Sequence, residues 1–150
     1  MRGIVLETST TASEVALADE RGIVSIRRLD SDRKHARDVA PTLNELLHDA
    51  GWLPASIDLI VVNVGPGSYT GLRVGVTTAK TFSYVTGAKL VGVDAMLTLA
   101  HACPADVAEV SGIIDAQQGQ IYASRIRRSG LQWIETTRIQ PVTDWATKLD

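Results

Sequence analysis

The stretch from residue 58 to residue 86 constrains this chain more than any other. Residues 58–64, DLIVVNV, form a short run rich in β-branched side chains. Its apolar residues follow one another without polar alternation, as in a strand buried on both faces. That pattern favours a parallel sheet covered by helices. A glycine turn, Gly65-Pro66-Gly67-Ser68, follows at once. Beyond it Leu72, Val76, Ala79 and Phe82 recur on one side of a helix that runs to about residue 86. Strand, turn and helix in this order are the building unit of α/β folds.

The same alternation continues on both sides. Upstream, Val39, Leu43, Leu46, Leu47 and Ala50 fall at helical spacing. Pro41 sits in the first turn, where its missing N–H costs nothing, and Gly51 is the stop signal. Downstream, residues 89–93 read as a strand and 95–102 as a helix. Residues 3–9, 12–18 and 22–28 are short apolar runs with turn chemistry between them, which predicts an antiparallel meander. Residues 30–37 are polar and read as loop. After Pro104 the texture becomes strand-like over 110–115, 120–127 and 131–139, with turns at Gln117-Gln118-Gly119 and Ser129-Gly130 and a helix start near Thr143. The expectation is an α/β protein in two parts. Residues 1–104 form a mixed sheet, with a three-strand antiparallel meander and parallel strands flanked by helices. Residues 105–150 form the β-rich start of a second half-domain.

Composition removes several function classes. Of 150 residues, 45% are hydrophobic and 21% charged, too apolar and too weakly charged for a chain disordered throughout. No apolar run approaches the ~18 residues of a membrane helix. Glu7 and Glu14 interrupt what a secretory signal would need at the N-terminus. The single cysteine, Cys103, has no internal disulfide partner, so the expected location is the reducing cytoplasm. The 15 basic and 17 acidic side chains are spread evenly, so composition marks neither half as a polyanion-binding surface. Arg33, Lys34, His35 and Arg37 cluster beside Asp32 and Asp38 and read as a solvated segment.

The stretch GPGSYTGLR holds the candidate chemistry. Gly65, Gly67, Ser68 and Thr70 lie between a strand and a helix, where backbone N–H groups and the helix dipole can meet a phosphate. The same glycines also suit a plain tight turn. No Gly-Lys-Ser/Thr triplet and no dinucleotide fingerprint is present. Ser68 or Thr70 is placed to cap the helix. Gly71, Gly75 and Ala79, spaced by four, share a face that fits either the chain's own sheet or a partner helix. Glu7-Thr8-Ser9-Thr10 at a strand end suits magnesium and phosphate oxygens, or a turn in which hydroxyls bond their own backbone. His35, His48 and His101 show no ligand spacing. Cys103 reads as a packed thiol, Ser68 lacks the G-x-S-x-G frame, and Asp115 reads first as part of a hairpin turn. No catalytic residue, metal or cofactor is expected.

In order along the chain, GIVLETST, GPGSYTGLRVGVTTAKTFSY, KLVGVDAMLTLA and IIDAQQGQIYAS resemble the TsaB (YeaZ) family of bacterial tRNA threonylcarbamoyladenosine biosynthesis proteins. The resemblance covers nearly the whole chain. It implies an actin-like ATPase (ribonuclease H-like) fold and a degenerate nucleotide site. It also implies a non-catalytic scaffold role beside the catalytic relative TsaD and the ATPase TsaE, which together modify adenosine 37 of tRNA. In the family tRNA is met only through that complex, and homodimers form when TsaD is absent. The first two helices supply the contact surface. Val39, Leu43, Leu46 and Leu47 match the first of them, and Leu72, Val74, Gly75, Val76, Ala79 and Phe82 match the second. Two departures stand out. Glu7 replaces the usual aspartate, and its extra methylene displaces the carboxylate from strict magnesium geometry. Family members also continue for several more elements beyond the start of the second half-domain. An older label of M22 peptidase finds no support in these residues. One rival reading is a catalytic phosphotransferase with Glu7 and Thr10 on metal and loop 65–68 on phosphate. Another is a bare tRNA-binding module, which the balanced charge disfavours.

Overall fold

A computed structural model describes residues 1–29 and 38–147. The loop expected over 30–37, with its basic cluster Arg33, Lys34, His35 and Arg37, lies outside the described residues. The chain divides into two units, Met1–Val64 with Ser68–Val93, and Gly65–Gly67 with the residues from Asp94 onward.

The first unit runs β1 (Arg2–Glu7), β2 (Glu14–Asp19), β3 (Gly22–Arg28), α1 (Val39–Asp49), β4 (Leu59–Asn63), α2 (Tyr69–Thr86) and β5 (Lys89–Val93). Its five strands are ordered β3-β2-β1-β4-β5. The expected meander is present, since β1, β2 and β3 pair antiparallel, while β1, β4 and β5 pair parallel. Ile4 stands opposite both Leu17 and Ile60. Side chains alternate between faces along a strand, so this register gathers Ile4, Leu6, Val15, Leu17, Ile60 and Val62 on one face, all buried. Val39, Leu43, Leu46 and Leu47 of α1 and Ala79 of α2 complete that core. Burial of this kind stabilises by about 1.5–3 kcal/mol per large apolar side chain. The other face is less covered than the run 58–64 suggested. There Val5, Val61 and Val91 are in register, but the first two are only half-buried and Val91 is 44% exposed.

Both helices of this unit stop at glycines. Gly51 follows α1 at φ 65° and Gly87 follows α2 at φ 75°. Each adopts the left-handed conformation that a side chain resists and that lets the next N–H groups turn back on the last carbonyls. The Gly87 N–H donates to the Ser83 carbonyl at 2.8 Å.

The second unit holds α3 (Ala95–Ala102), β6 (Glu109–Gln117), β7 (Gln120–Arg127), β8 (Gln132–Pro141) and α4 (Val142–Ala146). Its strands form an antiparallel sheet in the order β6-β7-β8. Asp94 caps α3, its Oδ1 accepting from the N–H groups of Met96 at 2.8 Å and Leu97 at 3.2 Å. Met96 and Ala100 pack with Ile126, and Val110, Ile114 and Tyr122 close around them. The sequence division after residue 104 grouped this helix with the first sheet. Its buried side chains instead pack on the second. The hairpin expected at Gln117-Gln118-Gly119 is present, with all three residues at positive φ. Asp115 Oδ1 accepts from the Gln117 N–H at 2.7 Å and holds that turn. Among the described residues no helix is long and apolar enough to cross a membrane.

Candidate functional site

Two places in the first unit gather the residues singled out by sequence. The first is the end of β1. Glu7 Oε1 accepts from both the N–H and the hydroxyl of Ser9, each at 2.7 Å. Glu7 Oε2 accepts from Asn63 Nδ2 at the end of the neighbouring β4. Thr10 Oγ1 accepts from the Ala12 N–H at 3.2 Å, and the Thr10 carbonyl accepts from the Ser13 hydroxyl at 2.7 Å. Hydroxyls bonding the local backbone are the signature of a side-chain-stabilised turn. Here both carboxylate oxygens are also engaged by neutral donors. Among the described residues no three His, Cys, Asp or Glu side chains come together as metal ligands.

The glycine turn is divided. Gly65 and Gly67 fall in the second unit, Ser68 and Thr70 in the first. Gly65 has φ 100°, and its carbonyl accepts from the Ala95 N–H at 2.8 Å. Ser68 is the residue that caps α2, accepting from the Gly71 N–H at 3.3 Å, while its own N–H donates to the Ser9 carbonyl at 2.8 Å. Thr70 is exposed. Gly71, Gly75 and Ala79 are buried, the two glycines against Thr8. The small-residue face of α2 therefore serves close approach to the chain's own sheet.

The second place is a groove of about 450 Å³ between α1 and α2. Ala40, Leu43, Asn44 and Leu47 line it from α1, Thr77, Thr78, Thr81, Phe82, Val85 and Thr86 from α2, and Pro54 from the segment after α1. Leu43 and Leu47 reach its floor, although both are almost wholly buried in the core. Val39 and Leu46 are core residues and do not line it. Val74, Val76 and Phe82 are half-buried and pack against the core, Leu72 is half-buried, and Gly75 and Ala79 face the sheet. The exposed rim carries Val85, 75% exposed, beside Tyr84 at 90%. Toward the start of α2, the Arg73 guanidinium lies 5.6 Å from the ring centroid of exposed Tyr69, in cation–π range.

Ala40, Asn44, Pro54, Thr77, Thr78, Thr81, Val85 and Thr86 line the groove without having been singled out in the sequence. A signal for them exists. Threonine is a weak helix former, yet α2 carries it at 70, 77, 78, 81 and 86. Helix propensity does not explain that enrichment.

An α/β sheet of this order, with two helices packed on one face, is the actin-like, TsaD-type fold. The chain belongs to the family of TsaD, tRNA N6-adenosine threonylcarbamoyltransferase, whose family model matches residues 5–144. Curated relatives of the chain include proteins named TsaB. It is 29% identical to the tRNA threonylcarbamoyladenosine biosynthesis protein TsaB of Bacillus subtilis over 97% of this chain and 65% of that protein. The TsaB protein of Escherichia coli is 28% identical over 85% of this chain and 56% of its own length. The fold matches that of YeaZ from Pseudomonas aeruginosa with a TM-score of 0.80 at 24% identity, covering 93% of this chain and 67% of that one. The chain thus spans 56–65% of the length of these two curated relatives.

Proposed function

We propose that this chain is a non-catalytic partner subunit in the synthesis of N6-threonylcarbamoyladenosine at position 37 of tRNA, and that its α1–α2 face docks a TsaD subunit. The observation that carries this reading is the open apolar groove between the two helices, floored by Leu43 and Leu47 and rimmed by Val85. Two helices with a groove between them accept the ridges of another helix pair. A stable interface there buries on the order of 1,600 Å² in total. The same face serves a second copy when TsaD is absent. TsaE and tRNA are reached through the TsaD complex, which places the chain in the cytoplasm. The hydrogen bonds that Glu7 accepts from Ser9 and Asn63 support a scaffold role, because they give this carboxylate a structural task in the turn at the end of β1.

The test uses groove residues that the fold can spare. Thr81 and Val85 are exposed, whereas Leu43 is core. Arginine at both Thr81 and Val85 is expected to abolish co-purification with TsaD from the same organism while leaving the unfolding midpoint unchanged. Wild-type affinity in that double variant would overturn the assignment of the face. Heat evolved on adding ATP and magnesium to the isolated chain would instead favour the phosphotransferase alternative through loop 65–68.

A further inference from the structure

We propose that Thr8 is a positioning residue that fixes the seat of α2 and thereby the width of the α1–α2 groove. Its meaning for partner binding rests on the reading above; the positioning itself does not.

Thr8 directly follows β1 and is 2% exposed. Its hydroxyl donates to the Gly71 carbonyl at 2.8 Å, a buried bond between residues 63 positions apart. At two successive turns, the backbone of α2 rests on this one residue without a spacer. A Cβ built on Gly71 would lie 1.9 Å from the Thr8 carbonyl oxygen. A Cβ built on Gly75 would lie 2.2 Å from Thr8 Oγ1 and 3.4 Å from Thr8 Cβ. Neither distance below 3 Å is tolerable, so a methyl group at either position must lift the helix or displace Thr8. The two contacts differ in kind. The one at Gly71 is with main chain, which side-chain substitution does not remove. The one at Gly75 is with a hydroxyl, which substitution does remove.

Thr77, Thr78 and Thr81, one turn or so further on, form the groove wall. A helix transmits displacement along its length because each turn is hydrogen-bonded to the next. Lifting α2 at Gly75 therefore moves that wall relative to α1, whose Leu43, Leu46 and Leu47 sit in the shared core and which carries neither of the glycines that rest on Thr8.

The experiment is a suppressor test on the whole chain. Gly75→Ala is expected to weaken binding to TsaD about tenfold. Adding Thr8→Ala is expected to restore it to the level of Thr8→Ala alone, because the obstructing oxygen is gone. Thr8→Ala is expected not to relieve Gly71→Ala. Thr8→Ser, which keeps the hydroxyl, is expected to bind as wild type. A partner-free readout uses spin labels at Asn44 and Thr81, both exposed. The distance between them lengthens in Gly75→Ala and, in the Thr8→Ala/Gly75→Ala pair, returns to that of Thr8→Ala alone. If Gly75→Ala alone does not fold, the same suppression is read as recovered thermal unfolding in the pair. An unchanged label distance in Gly75→Ala, or equal suppression at Gly71 and Gly75, overturns the positioning role. A label distance that behaves as expected while the wild type ignores TsaD overturns only the docking reading.

Discussion

The two sheets face the same demand and meet it unequally. In the first unit, helices of 11 and 18 residues cover a five-stranded sheet, and Ile4, Leu6, Leu17 and Ile60 are sealed beneath them. In the second, a helix of eight residues covers part of a three-stranded sheet, and the core gathers around Met96, Ala100 and Ile126. Ile113, Trp133, Ile134 and Ile139 stay exposed there. The second sheet also carries the surface pairs of Arg125 with Glu109 and Glu135, which contribute little individually. Stability is therefore concentrated in the unit that carries the groove. The docking role proposed for the α1–α2 face would need that firm base, because any looseness beneath it would have to be frozen out on binding.

Four substitutions test this contrast. The largest effect is expected from Ile60→Ala, toward the upper part of about 2–5 kcal/mol, because the residue is enclosed on all sides and the cavity has little room to collapse. Met96→Ala is expected near the lower end of that range, since the thinner core can settle onto the gap. Denaturant unfolding followed by segment-resolved hydrogen exchange separates the two: Ile60→Ala should lower protection in β1 and β4, Met96→Ala in β6 and β7. Equal losses spread over both sheets would erase the distinction. Next comes Asp94→Ala, which deletes the cap of α3 and is expected to cost about 1 kcal/mol, with exchange rising in residues 95–102 only. The smallest effect belongs to Arg27→Ala. Arg27 pairs with Glu45 and Asp49 of α1, but the groups are exposed, so less than about 1 kcal/mol is expected. Thermal melts should show even that difference vanishing in high salt.

Most of the framework was legible in the sequence, and the reasons are local. Turn residues between short apolar runs announced β1 to β3, Gly51 announced the end of α1, and the β-branched run of β4 announced a parallel neighbour. The allegiance of α3 was not legible. Its sequence, AMLTLAHA, is apolar on nearly every side, so periodicity offers no unique inward face, and only the presence of Ile126 decides. The groove was legible in part. The family resemblance pointed to these two helices, and the residues matched on them are mostly their inward stripe, because apolar spacing finds the core before it finds a surface. The role of Thr8 had no sequence signal of its own. It follows from a contact across 63 positions, which local pattern does not encode.

The threonines along α2 bear on how such a face survives unoccupied. A methyl and a hydroxyl share each of these side chains, so Thr77, Thr78 and Thr81 can hold water when solvent fills the groove and give dry contact when another helix does. A wall of leucine in their place would be greasier and would drive the lone subunit toward indiscriminate clumping.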